Sequence, residues 1–316
     1  MRKQFVDTVM ALMEKDSRLV LLLGDIGVYG FRKAFESFPD RVYNIGILEQ
    51  STVSLASGLS MEGFVPVIHT IAPFLVERSL EQLKNDFCYQ SLGGNFVSAG
   101  ASYDYAALGC THHCPGDAGI LKTLPGMEIM IPGTGKEFAA LFRQAYANDH
   151  PTYFRLSEKE NDNSYEVQLG KANVVKTGSK AVVVAAGPSL GPVLEACSGI
   201  DVTILYYTTI SPFDADTLNN ICTNLGAAAK EQRRPDEPAP THMPLKILLC
   251  EPYYSGVLVP DIVRALAPRP VSIQCFGVPH EFMRNYGTAQ EHDQLAGLTP
   301  DNIRNKLECM INEQAG

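Results

Sequence analysis

Glu49 ends a segment, Asn44-Ile45-Gly46-Ile47-Leu48-Glu49, that passes from a short apolar stretch through a glycine turn into a run rich in small residues, Ser54, Ala56, Ser57 and Gly58. A carboxylate at such a junction can take and return a proton. If the stretch before it is a strand, Glu49 also stands at the edge where open parallel sheets bind their ligands. Taken alone, a glutamate at a helix start is most simply a partner for the positive end of the helix dipole. A second group lies between Gly109 and Gly116, where His112 and His113 are flanked by Cys110 and Cys114. Histidine suits proton transfer near neutral pH, and the thiols raise the alternative of zinc. Donors packed so closely along the chain cannot readily all reach one tetrahedral ion, and no second cluster of CxxC type exists, so no metal site is expected. Asp25, after the apolar run Leu19 to Leu23, reads as a turn former. Phe74 reads as a core aromatic at the start of a helix.

The elements that must hold these residues alternate short apolar runs with longer helical patterns, the rhythm of a wound parallel sheet, and the rhythm occurs twice. In the first half, strands are expected at Leu19 to Leu23, Val42 to Ile45, Val65 to His69, Asn95 to Ser98, Glu128 to Ile131 and Thr152 to Arg155. Helices are expected over Arg2 to Glu14, Glu49 to Met61, Phe74 to Ser91 and Lys136 to Asn148. The polar stretch from Glu158 to Gly170 reads as an exposed linker. The expected division is therefore a first α/β domain over 1–160, a linker over 161–172 and a second α/β domain over 173–316. The second half begins again with Ala181 to Gly187 and Val202 to Leu205, and closes with a helix from Pro300. Lys230 to Pro244, with its prolines among charges, reads as a solvated loop.

Composition sets limits on function. A chain of 316 residues, 45% hydrophobic, can bury two ordinary cores. With 26 basic against 35 acidic residues, a net charge of -9 leaves no general footprint for nucleic acid or an anionic membrane. No apolar run reaches the roughly 20 residues of a bilayer span, and a cytoplasmic setting is expected. The eight cysteines are scattered, several of them in apolar runs, which disfavours a disulfide scaffold.

The glutamate segment resembles the pyrimidine-binding domain of transketolases, deoxyxylulose-phosphate synthases and the beta subunits of 2-oxo acid dehydrogenases. Gly24-Asp25-Ile26-Gly27 precedes it, as in that group. Gly63-Phe64-Val65-Pro66-Val67, Pro73-Phe74-Leu75, Arg78-Ser79-Leu80-Glu81-Gln82, Thr111-His112-His113, Leu124-Pro125-Gly126-Met127 and Ile131-Pro132-Gly133 follow in the family's order. The part after Ala181 resembles the family's C-terminal domain. The resemblance implies two tandem parallel-sheet α/β domains and thiamine diphosphate as cofactor. It also implies that Glu49 bonds to the pyrimidine N1′ and favours the imino tautomer that deprotonates the thiazolium C2. By the same likeness Phe74 stacks on the pyrimidine, Asp25 approaches the cofactor, His112 works near the reacting carbon, and His113 replaces a glutamine beside the substrate.

Absent from the chain is the Gly-Asp-Gly turn with its downstream asparagine, through which the family holds Mg²⁺ and the diphosphate. The resemblance therefore implies a partner chain carrying that half, in a heterotetramer. Against ordinary transketolases, a phosphate-binding serine is replaced by Tyr29, an arginine by Glu158 and a hydroxyl-binding aspartate by Leu108. The expected reaction is transfer of a two-carbon ketol or acyl unit between small molecules outside the usual sugar phosphates. The alternatives are a beta subunit of a 2-oxo acid dehydrogenase or decarboxylase, and a noncatalytic subunit. A Rossmann dehydrogenase is disfavoured because no GxGxxG turn follows Leu19 to Leu23.

Overall fold

The computed structural model describes residues 1–231 and 244–312, with the side chains of 226–231 left undescribed. Most of the proposed solvated loop from Lys230 to Pro244 lies outside the described residues. The first strand, β1 (Leu19–Leu23), is apolar and buried at every position, as a strand covered on both faces must be. β2 (Val42–Asn44), β3 (Val65–Ile71), β4 (Gly94–Ala99), β5 (Glu128–Met130) and β6 (Pro151–Arg155) follow, and then β7 (Ala172–Lys176), β8 (Val182–Ala186) and β9 (Thr203–Tyr207). The remaining strands are β10 (Thr209–Ser211), β11 (Leu245–Tyr254) and β12 (Val271–Val278). They form a seven-stranded sheet in the order β10-β5-β6-β4-β3-β1-β2 and a five-stranded sheet in the order β12-β11-β8-β9-β7.

Both sheets are parallel except at one edge, where β10 runs antiparallel to β5 and β7 antiparallel to β9. The β10 edge joins the sheets directly. The chain leaves β9 in the second sheet, passes the buried Thr208 and enters the first sheet as β10. Thr208 itself gives its carbonyl to the Ile131 N–H at 2.7 Å. One apolar core accordingly runs between the layers, from Val20, Leu22 and Ile68 to Val184, Leu205, Tyr207 and Leu249. A second covers the outer face of the first sheet, where Phe5 and Val9 of the Arg2–Met13 helix meet Phe138 and Phe142 of the Gly135–Ala145 helix.

Two sequence expectations differ from the structure in ways that matter to the site. The single helix expected over Phe74 to Ser91 is broken into Ala72–Val76, Leu80–Gln82 and a π-helical turn at Leu83–Cys88. The Glu77 and Arg78 N–H groups both point to the Pro73 carbonyl, and the Ser79 hydroxyl donates to the Phe74 carbonyl at 3.2 Å. A side chain that bonds locally in this way competes with the helical ladder. The stretch expected to be an exposed linker contains a buried residue. The Asn161 side chain donates to the Gly187 carbonyl at 3.1 Å and accepts the Gly191 N–H at 2.9 Å, while its backbone N–H reaches the Gly133 carbonyl.

A buried ionic network also crosses the boundary. Arg155, at the end of β6, donates to Asp117 at 2.7 Å and to the Ser102 hydroxyl at 2.7 Å, and Tyr153 donates to the same carboxylate at 2.9 Å. The Ser102 hydroxyl in turn donates to the Pro252 carbonyl on β11. Arg155→Met leaves Asp117 charged and without its cation in an apolar surround, a change that costs about 3–5 kcal/mol. Urea unfolding should show a midpoint well below wild type, and Asp117→Leu combined with Arg155→Met should recover part of the loss.

Candidate active site

Three turns converge at the carboxyl edge of the first sheet. After β1, Asp25 adopts a left-handed backbone, and its N–H donates to the Asn44 side-chain oxygen at 3.0 Å. The same oxygen accepts the Gly46 N–H at 3.2 Å, and the Asn44 amide donates back to the Asp25 carboxylate at 3.3 Å. Asn44 thus ties the Asp25 turn to the turn that leads into Glu49. Gly24 allows the third approach, because a Cβ there would lie 2.9 Å from the Thr70 side chain at the end of β3.

Glu49 is the first residue of the Glu49–Met61 helix and is only 2% exposed. One carboxylate oxygen accepts the Arg78 guanidinium at 2.6 Å, and the other faces the Thr70 hydroxyl at 3.4 Å. The helix break described above is what frees Arg78 to reach back. Its guanidinium lies over the Phe74 ring at 4.2 Å from the centroid. Phe74 also meets His112 edge to face at 5.4 Å. His112 is half-buried in a short 3₁₀ turn, Cys110–His112, with its Nδ1 3.0 Å from the Thr111 hydroxyl. The structure therefore brings Glu49, Phe74 and His112 into one continuous group, with Asp25 attached through Asn44 and exposed.

His113 turns away from this group. It is 7% exposed, and burial together with the nearby His292 holds its imidazole below the ordinary value. Cys110 is exposed, whereas Cys114 is buried with its thiol towards Glu77 at 3.6 Å. Among the described residues no group of three or more His, Cys, Asp or Glu could hold a metal ion, and no helix is long and apolar enough to cross a membrane.

Sequence reasoning assigned no role to Arg78, Thr70, Asn44, His69 or Arg2. For Arg78 a signal existed, a cation four residues after Phe74. For His69 there was none. It is buried beneath the Asp25 turn, with Gly27 so near that a Cβ would lie 2.8 Å from the ring. Its Nδ1 donates to the Val97 carbonyl at 2.8 Å. Next to it opens a cavity of about 580 Å³ whose lining includes Arg2, Lys3, Arg32 and Lys33, Tyr29, and Asp7 paired with Lys3 at 2.5 Å. Tyr29 is exposed, and the Arg32 guanidinium covers its ring at 4.5 Å. Glu158 and Leu108 are likewise exposed.

These features match a known group of proteins. The family described as transketolase, pyrimidine binding domain, matches residues 1–162. An uncharacterized 33.6 kDa protein in the fasciation locus of Rhodococcoides fascians is 37% identical over 308 residues, covering 97% of this chain and 93% of that protein. An apulose-4-phosphate transketolase subunit of Phocaeicola vulgatus is 28% identical, covering 92% of this chain and 94% of its own. A solved structure titled as a split gene transketolase, inactive beta4 tetramer, superposes with a TM-score of 0.80 at 22% identity, over 98% of this chain and 97% of that one. The chain therefore belongs to the transketolase pyrimidine-binding family. Within that family it has the length and two-sheet layout of the split-gene chain, with which it aligns from end to end.

Burial, with the Arg2 charge adding to it, depresses His69 to about 4. The unfolded imidazole takes up a proton near pH 6.5 and the folded one only near 4, so the His69 contribution is complete above pH 6.5 and is withdrawn as the pH falls towards 4. His69→Asn can still donate to Val97 but does not titrate. Its urea midpoint should fall less between pH 7 and pH 5 than that of wild type.

Proposed function

We propose that this chain is the activating subunit of a thiamine-diphosphate-dependent transketolase-like enzyme that moves a two-carbon ketol or acyl unit between small molecules. The observation that carries this reading is the pose of Arg78. A planar, nitrogen-bearing cation is bonded to the buried Glu49 carboxylate and stacked on Phe74, which are the two contacts a planar nitrogen heterocycle would make there. The donor set thus fits the aminopyrimidine of the cofactor once Arg78 swings aside, and the exposed third of its side chain gives it room to do so.

Thiamine diphosphate, when bound, supplies a carbanion equivalent at its thiazolium C2. With that group bound, this chain would hold a proton at the Glu49 carboxyl, in a pocket dry enough to strengthen the bond that proton makes. Phe74 would stack on the planar ring. His112, in contact with Phe74, moves protons to and from substrate oxygen. Asp25 and His113 border the site, the first facing outward and the second anchoring the loop. The basic cavity beside Tyr29 supports a substrate with an anionic end, in spite of the acid at position 158.

The diphosphate and its Mg²⁺ belong to a companion chain in this reading. Ile47, Leu48, Leu55 and Met61, on or just before the Glu49 helix, are all exposed apolar side chains. Exposed apolar side chains such as Ile47 and Leu48, next to the buried carboxylate in sequence, suit coverage by the chain that carries the metal half, in a heterotetramer of two copies of each. The Phocaeicola vulgatus relative is itself named as one subunit of a transketolase.

Glu49→Gln should fold as wild type does and bind the partner, but exchange of the cofactor C2 proton in the reconstituted complex, followed by NMR, should slow by at least about 100-fold. Exchange at the wild-type rate would remove the assignment. Isothermal titration should show no tight binding of thiamine diphosphate and Mg²⁺ to the isolated chain, and clear binding once the companion is added. Tight binding by this chain alone would refute the division of labour.

A further inference from the structure

The loop that carries His112 is gripped by the second half of the chain at three points. The Tyr286 ring covers Gly109 so closely that a Cβ there would lie 2.8 Å away. The Tyr254 N–H donates to the Pro115 carbonyl at 2.9 Å. Between these, His292 on the Ala289–Leu295 helix meets His113 edge to face at 5.5 Å.

The histidine contact is ring packing alone. Both rings are buried, and neither Nε2 has a hydrogen-bond partner among the described residues. Unsatisfied buried nitrogens destabilise a fold, so a pair of them calls for a reason. The backbone supplies one. His112 ends the Cys110–His112 3₁₀ turn and His113 follows it directly, and at three residues per turn successive side chains diverge by about 120°. Seating His113 inward on His292 therefore turns His112 outward onto Phe74. The helix that presents His292 is itself fixed. Its start is closed by a capping box between Thr288 and Glu291, His292 Nδ1 lies 3.2 Å from the Thr288 carbonyl, and Asp293 accepts Tyr103 and Lys159 from the first domain.

We propose that the second domain clamps the catalytic loop, and that His292, acting through His113, is a positioning residue for His112. The inference rests on the reading of His112 as the proton-transfer group. It gives the second domain a task in holding the loop of the first.

The test is amide hydrogen exchange of the full-length chain carrying His292→Ala, His292→Asn or His292→Phe, together with the NMR signal of the His112 ring. Asn keeps a donor for the Thr288 carbonyl but loses the ring; Phe keeps the ring but loses the nitrogens. His292→Ala and His292→Asn should raise exchange across 109–116 by at least about tenfold while β4, β6 and the Pro300–Asn312 helix stay as in wild type. The same two substitutions should shift the His112 signal, and His292→Phe should do neither. In the reconstituted complex, His292→Ala should lower kcat with KM unchanged. An unchanged loop in His292→Ala, recovery by Asn, or loosening that spreads through Pro300–Asn312 would each overturn the proposal. If the Ala variant does not fold, Tyr286→Ala applies the same measurement at Gly109, with an unchanged loop equally fatal. Because exchange is read without substrate, a loop that loosens while a His112→Asn complex keeps full turnover would sink the role of His112 and leave the clamp supported.

Discussion

A carboxylate almost wholly removed from water at the end of a parallel sheet needs a donor, and the arrangement around Glu49 follows from meeting that need. Arg78 supplies the charge-assisted bond, but only because the segment after Phe74 abandons the helix within one turn. The break, the guanidinium over Phe74 and the contact of His112 with that ring belong to one connected set of contacts. The Glu49 carboxylate thus has its charge met by a planar donor that also lies over Phe74.

The turns beneath this group are set by close approach. Gly24 brings the end of β1 against Thr70, and Asn44 uses one side-chain oxygen to hold two N–H groups from different turns. Neither residue does chemistry. Both decide where the Asp25 and Glu49 segments stand relative to each other, and His69 supports the Asp25 turn from below.

The second sheet is more than an appendage. β10 completes the edge of the first sheet, Asn161 bonds to both halves, and the Arg155 network reaches the backbone of β11. A core shared between the layers makes independent motion of the halves costly. A loop held from the second half can then be as fixed as the sheet edge that faces it.

The class of fold was already written in the order of residues. The continuous apolar run Leu19 to Leu23, closed by Gly24-Asp25, located β1 at its observed bounds, because a strand buried on both faces shows no alternation, and the small-residue run after the glycine turn located the Glu49–Met61 helix. The order of motifs singled out Glu49, Phe74 and His112. What it could not show were contacts between residues distant along the chain. Arg78 was visible only as part of a motif, since its bond to Glu49 depends on a helix break made by local hydrogen bonds. The three-residue strand β10 is too short to carry a period, and His113 with His292 lie far apart until the two sheets pack. Short-range pattern records which face of an element is buried; only the packed chain decides what that face meets.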